Sequence, residues 1–344
     1  YIDHIRRAGI TRMFTGNTPE LNRELKQAGL DVYPRFGWFG RKYKVTEETQ
    51  PWAAIRADGS AETADYCPLA ILEHADHPLP GRYFAEARTL AGLPDIDGLC
   101  VDFECSAVWC WCERCLQRFT EETGIEATRE ALSGEGEHAE AYKQFGRRRN
   151  RDLLTRVREI MREVNSELRY VALASAADMP AYWWDGRFAG RHALRELARF
   201  ADEIAASGYF YEIPGGMKSV RSIIDTGHQF ALASGREVDV SMISPIATTV
   251  SETPRYRGAV MGPDTLRQLI LLIASAQGRG LSIFRGDCFD GEHYLACRRA
   301  LDELALLRPY FDGNPDRSHE LIVAPSPGHE RRSALTIAQN LMTR

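Results

Sequence analysis

Seven short β-branched or apolar runs, each separated from the next by a longer polar or amphipathic stretch, constrain this chain more than any other feature. The runs are Ile10–Thr15, Leu30–Phe36, Ile96–Glu104, Arg169–Ala176, Glu203–Tyr211, Val238–Ile243 and Leu281–Arg285. Helical patterns cover Tyr1–Ala8, Pro19–Ala28, Tyr83–Ala91, Ala141–Asn165, His192–Phe200, Met217–Thr226 and Asp264–Gln277. The clearest carries Leu153, Val157, Ile160, Met161 and Val164 on one face at 3.6-residue spacing. Gly29, Gly227 and Gly278 follow helical patterns where C-terminal stops belong. Strands alternating with helices call for a parallel sheet joined by crossovers.

A helix ahead of the first run implies one more strand upstream, so the expected fold is an α/β (β/α)8 TIM barrel lacking its first strand in this fragment. The barrel is expected over 1–314. Residues 315–344, with strand-like runs His319–Pro325 and Ser333–Gln339, read as the start of a C-terminal β-rich domain that is cut short. A doubly wound open sheet is the alternative, but no Gly-x-Gly-x-x-Gly turn or phosphate loop supports it. A net charge of −5 gives no electrostatic ground for nucleic acid or an anionic membrane as partner. The basic run Arg147–Arg151 lies in a helical pattern and reads as a solvated face. No apolar stretch approaches the ~20 residues of a membrane span. A homo-oligomer is compatible with all of this.

In a barrel, chemistry sits on the loops beyond the carboxyl ends of the strands. The third run ends in acids, Asp97-Gly-Leu-Cys-Val-Asp102-Phe-Glu104. Alternation puts Cys100, Asp102 and Glu104 on one face and Leu99, Val101 and Phe103 on the other. A carboxyl held against apolar walls with a second acid nearby has its pKa raised, and can protonate a leaving oxygen near neutral pH. The competing reading is a polar strand end paired with arginines.

Cys110-Trp-Cys112-Glu-Arg-Cys115 supplies three corners of a tetrahedral metal site, and Cys67, in Tyr66-Cys67-Pro68, is a candidate fourth. A pair of disulfides is the alternative. The acid-tipped strand, this cysteine group, Leu116-Gln-Arg-Phe119 and Gly124 together resemble the glycoside hydrolase family 42 β-galactosidases and related glycosidase-like barrels. The resemblance spans roughly Tyr66 to Gly124. It implies a structural zinc on Cys67, Cys110, Cys112 and Cys115, a carbohydrate substrate, and Glu104 as acid/base at the end of the fourth barrel strand. Two departures stand out. Phe103 occupies the place of the family's Asn, and Val238–Pro245 carries no acid at its tip where the family has its nucleophile. The acid strand also resembles the Asp-x-x-Asp-x-Asp-x-Glu strand of family 18 chitinases, with Cys100 for the middle Asp. There a substrate N-acetyl group serves as nucleophile.

A second carboxylate is sought in Glu212, Asp287, Asp290 and Glu292, though Asp290-Gly291 also reads as a turn with Glu292 opening a helix. Trp38, Trp183, Trp184, Asp185, Tyr209 and Tyr211 are candidate sugar contacts, with core packing as the alternative. His74 and His77 beside Asp76 could hold a metal, but an exposed polar loop accounts for them better. The expected activity is hydrolysis of O-glycosidic bonds. A non-catalytic binding barrel and a metal-dependent hydrolase are the alternatives. Thiolate ligands favour a reducing compartment such as the cytoplasm, and secretion stays open.

Overall fold

The computed structural model describes residues 2–15, 18–37, 45–102, 109–175, 195–207, 217–245, 261–284, 289–312, 319–322 and 336–339. Seven parallel strands form one sheet: β1 (Arg12–Thr15), β2 (Asp31–Gly37), β5 (Gly98–Asp102), β6 (Arg169–Ser175), β7 (Glu203–Ser207), β8 (Asp239–Pro245) and β9 (Leu281–Phe284). They follow one another in chain order, and each coincides with one of the seven expected runs. Around them run α1 (Ile2–Arg7), α2 (Pro19–Gln27), α4 (Arg82–Ala91), α7 (Glu137–Val164), α8 (Met217–Ala233), α9 (Pro263–Ser275) and α10 (Gly291–Asp312).

The sheet is curled. Arg12 on the first strand reaches Glu203 on the fifth at 2.7 Å, whereas four strand spacings in a flat sheet would hold them about 19 Å apart. Two cores follow from strand alternation. Leu99, Val101, Tyr170, Ala172, Ile204, Ala206, Val240 and Met242 face the helices. Tyr33, Cys100, Val171, Leu173, Ala205 and Ile243 face inward and fill the lumen. The apolar stripe of α7 is buried against the sheet, and Leu153, Leu154, Val157 and Met161 are fully enclosed. The helix layer meets at its ends, since His4 of α1 lies against Tyr294 of α10 with ring centroids 6.3 Å apart.

The lumen's amino-terminal end is ionic. Glu203, 1% exposed, accepts from Arg12 at 2.7 Å and from the Ser241 hydroxyl at 2.6 Å, while Arg169 pairs with Asp239 at 2.6 Å. Burial opposes the charge on Arg12, but Glu203 beside it more than compensates and its pKa is raised. Removing one member of such a pair strands the other. Glu203→Ala is expected to cost about 3–5 kcal/mol in urea unfolding, whereas an exposed control such as Glu159→Ala should cost well under 1 kcal/mol.

Two aspartates just ahead of strands repeat one device. Asp97 accepts from the Val32 amide at 2.7 Å and from Lys26 of α2 at 2.8 Å. Asp202 accepts from the Tyr170 amide at 2.8 Å and from Arg158 of α7 at 2.7 Å. Each ties the start of a strand to its neighbour and to a helix. At Gly98 the chains run so close that a Cβ would lie 2.0 Å from the Arg169 carbonyl oxygen.

Some boundaries differ from expectation. The helix expected to end at Thr226 continues to Ala233, and Gly227 lies inside it. That glycine allows close approach to the sheet, since a Cβ there would meet Val240 Cγ1 at 2.6 Å. Gly278 likewise sits against Ile273, with the positive φ of 59° falling on Gln277 before it. Gly29 is a stop as expected, with φ 77°. Of the helix expected over His192–Phe200, residues 195–200 are described. The segment between β2 and β5 holds unexpected structure: a hairpin of β3 (Ala53–Ile55) and β4 (Ala61–Tyr66), then α3 (Pro68–Glu73). Beyond the barrel, β10 (His319–Ile322) pairs antiparallel with β11 (Thr336–Gln339).

Candidate active site and cysteine centre

The acid strand lies where alternation placed it. Cys100 belongs to the lumen cluster and its neighbours Leu99 and Val101 to the helix side, so Asp102 shares the lumen face. Asp102 ends β5, its side chain is 8% exposed, and its carboxylate accepts from Arg35 Nη2. Arg35 lies on the same face of β2, in register with Cys100. The pair therefore stands at the carboxyl end of the barrel, the end where such folds place their chemistry.

Asp290 caps α10. Its carboxylate accepts from the His293 amide at 3.1 Å and meets His293 Nδ1 at 2.6 Å, while His293 Nε2 donates to the Met261 carbonyl at 2.7 Å. Hydrogen bonds from the His293 amide and ring hold the Asp290 carboxyl below its usual range. Glu292 is exposed in the first turn of the same helix. Both features agree with a turn followed by a helix start. The other sequence candidates lie outside the described residues: Glu104, Glu212 and Asp287 among the acids, and Trp38, Trp183, Trp184, Asp185, Tyr209 and Tyr211 among the sugar contacts.

The four cysteines converge. Cys67 caps α3 after the hairpin, Cys110 and Cys112 lead into α5 (Glu113–Thr123), and Cys115 lies in its first turn. Their sulfurs all lie within 4.8 Å of one another, with Cys67 Sγ 3.4 Å from Cys115 Sγ and 3.6 Å from Cys112 Sγ. A disulfide would need about 2.05 Å, and all four are free thiols. Four sulfurs at ~2.3 Å from one ion would be about 3.8 Å apart. The group could hold a metal ion, and three of its members are buried.

The surroundings are arranged around these sulfurs. The Ile55 amide donates to Cys110 Sγ at 3.4 Å, the Cys67 amide donates to the Trp52 carbonyl at 2.8 Å, and the Tyr142 hydroxyl donates to the Cys110 carbonyl. Close contact with Cys110 and burial push the Cys67 and Cys115 thiols up, while hydrogen bonds from Cys110, Cys115 and Cys67 hold Cys112 far down. The thiolate is thus favoured at Cys112, while Cys67 and Cys115 hold protons that a bound metal ion would have to displace. Burial, and then the sulfurs beside it, push the Tyr142 phenol up, so it stays a donor.

The histidines at 74 and 77 form no such group among the described residues. Their rings flank Trp52 at 4.8 and 4.9 Å. The basic run of α7 is paired, with Arg147 on Glu140, Arg149 on Glu122 and Asp152, and Arg151 on Glu196. Sequence reasoning missed Arg35, whose place on the lumen face of β2 follows from alternation but whose pairing with Asp102 needs the β2–β5 register.

A curled sheet of seven parallel strands flanked by helices, with a four-cysteine group on the segments before and after β5, is a TIM-like α/β fold. Solved structures of that type are similar to it. They include a β-galactosidase from the psychrophilic Marinomonas ef1, at 13% identity and TM-score 0.66, covering 91% of this chain and 58% of that one. A glycoside hydrolase family 42 β-galactosidase from G. stearothermophilus aligns at 10% identity and TM-score 0.58, covering 88% and 53%. The α-L-fucosidase isoenzyme 2 from Paenibacillus thiaminolyticus aligns at 13% and 0.55, covering 94% and 47%. The chain thus spans about half the length of these proteins. No protein-family profile and no curated protein matches it.

Proposed function

We propose that this chain is the barrel of a glycoside hydrolase that cleaves O-glycosidic bonds in an oligo- or polysaccharide, with Glu104 as general acid/base. The observation that carries the reading is Asp102, a buried lumen-facing carboxylate at the carboxyl end of β5, two residues before Glu104. One further pleat returns the same face of a strand, which would bring Glu104 to the mouth beside Asp102. A carboxyl next to a second carboxylate holds its proton longer, as a general acid requires.

Asp102, fixed by Arg35, would orient the acid or the substrate. The second carboxylate would come from Glu212, Asp287, Asp290 or Glu292, or a substrate group would take its place. Asp290, kept ionised by His293, suits a base or nucleophile better than an acid. Trp38, Trp183, Trp184, Asp185, Tyr209 and Tyr211 would line the sugar path. The cysteine group is assigned to a structural zinc, because four thiolates close the tetrahedron and leave no open position for catalysis. Residues 315–344, in which β10 and β11 pair antiparallel, are assigned to a β-rich unit separate from the barrel. The glycosidase fold of the similar structures supports the reading.

Release of reducing sugar or aryl alcohol from a panel of aryl glycosides and polysaccharides tests it. Hydrolysis of at least one class is expected, with activity surviving brief exposure to a chelator. One observation favours a second reading, a barrel that binds glycan without cleaving it: β8 ends in Ser244-Pro245, with no acid at its tip. Glycan binding across the panel with no product would replace the first reading by the second.

A further inference from the structure

His293 is buried at the start of α10, and both of its ring nitrogens face acceptors. Nε2 lies 2.7 Å from the Met261 carbonyl oxygen, and Nδ1 lies 2.6 Å from Oδ1 of Asp290. A neutral imidazole carries one N–H and can donate to one of them. At 2.6 Å a bare Nδ1 and a carboxylate oxygen would set two lone pairs against each other, so the geometry calls for a proton on each nitrogen. The Asp290 amide, 3.4 Å from Nδ1, is the donor available to a neutral ring. The cap would then become reciprocal, the third helical residue accepting from the amide of the capping residue.

The two acceptors belong to different loops. Met261 stands two residues before α9, which follows β8, and Asp290 directly before α10, which follows β9. Both helix starts lie at the carboxyl end of the sheet. Met261 is fully buried, whereas the Asp290 side chain is 67% exposed. A ring that gives up one proton therefore keeps Nε2–H on the Met261 carbonyl and lets go of the carboxylate, which water can solvate. Other titratable groups on the neighbouring elements are placed elsewhere. On α9, Asp264 is exposed and Arg267 is held by Glu303 at 2.8 Å. On α1, His4 lies against Tyr294. On α10 itself Glu292 is exposed, and burial pushes the Cys297 thiol up to about 11, so it stays neutral. The Phe289 ring lies 5.4 Å from that of His293.

We propose that His293, with a proton on each ring nitrogen, is a positioning residue that fixes the Asp290 carboxylate and ties the start of α9 to the start of α10. The inference deepens the glycosidase reading, in which Asp290 is a candidate for the second carboxylate. The clamp stands between two limits of pH. It is lost on the acid side as Asp290 takes up a proton, which the bonds from His293 delay to below the ordinary carboxylate range. It is lost on the alkaline side as Nδ1 gives up its proton.

NMR of the isotope-labelled ring nitrogens in the full, metal-loaded chain reads this directly. Both nitrogens should be protonated at acid pH, and on raising the pH Nδ1 should become bare while Nε2 keeps its proton. Asp290→Asn preserves the helix cap and removes the charge. Its melting midpoint should lie about 2 °C below that of wild type while Nδ1 is protonated, and the gap should close as that proton leaves. A ring with Nδ1 bare throughout overturns the inference, and so does a melting gap that is constant across the interval.

On a hydrolysed glycoside, the alkaline limb of wild-type kcat/KM should follow Nδ1 and disappear in His293→Gln. A limb unmoved in that variant overturns the positioning role while the hydrolase reading stands. If no glycoside is hydrolysed but ring and melting behave as stated, the clamp stands and the hydrolase reading fails. Should His293→Gln fold poorly, the melting gap of Asp290→Asn decides alone.

Discussion

Stripping the metal from the cysteine centre is expected to lower the midpoint of thermal unfolding by roughly 10 °C or more. Structural zinc on thiolates contributes on the order of 10–16 kcal/mol of apparent binding free energy in small domains. Here the ion would join three pieces of chain, which are also tied by the Trp111 amide on the Ile55 carbonyl and by Arg114 and Arg118 on Glu73. The hairpin β3–β4 reaches the group through Ile55 and Trp52, α3 begins at Cys67, and α5 begins at Cys112. Elemental analysis should find one zinc per chain, and Cys115→Ser should lose it.

Hydrogen exchange should then rise first in β3–β4 and the start of α5, ahead of the β6–β8 ladder, because the sheet is held by its own packed layers. Lowering the pH should have the same effect. Thiolates bind metal only when deprotonated, so occupancy is full at neutral pH and is lost as protons compete on the acid side. A metal-free chain with an unchanged melting midpoint would contradict the assignment.

Much of the barrel was legible in the sequence because its strands are buried on both faces, giving unbroken apolar runs such as Tyr170–Leu173. The stripe of α7 was equally plain. What escaped was structure with a weak pattern. The strand Ala53–Ile55 has three residues, too few to show alternation. The helix Gly291–Asp312 was read only at its start, because exposed Leu295 and Leu306 keep its apolar residues from falling on one stripe. Gly227 was misread because a glycine that ends a helix and one that lets it approach a sheet look alike in sequence. The difference lies in Val240, a contact between distant residues.

For the site, the cysteine spacing was informative since metal ligands need local closeness, and the distant Cys67 was a candidate that a resemblance then supported. Asp102 was readable from strand period. Its partner Arg35, 67 residues away in sequence, emerges when β2 and β5 are seen to pair. The ionic floor of Arg12, Glu203 and Arg169 could not be read either. Its members come from three strands that meet because the sheet curls.

The central claim is that Glu104 moves the proton in glycoside cleavage. General acid–base groups contribute about 10²–10⁴-fold, or roughly 3–5 kcal/mol of barrier. Glutamine keeps the shape of the side chain and removes the proton it exchanges. The most direct measurement is kcat/KM of Glu104→Gln on the best substrate of the wild type, with metal content and melting midpoint measured on the same preparation. The account predicts a fall of at least about 100-fold with metal and melting unchanged. Near-wild-type turnover in a folded, metal-loaded Glu104→Gln protein would contradict it.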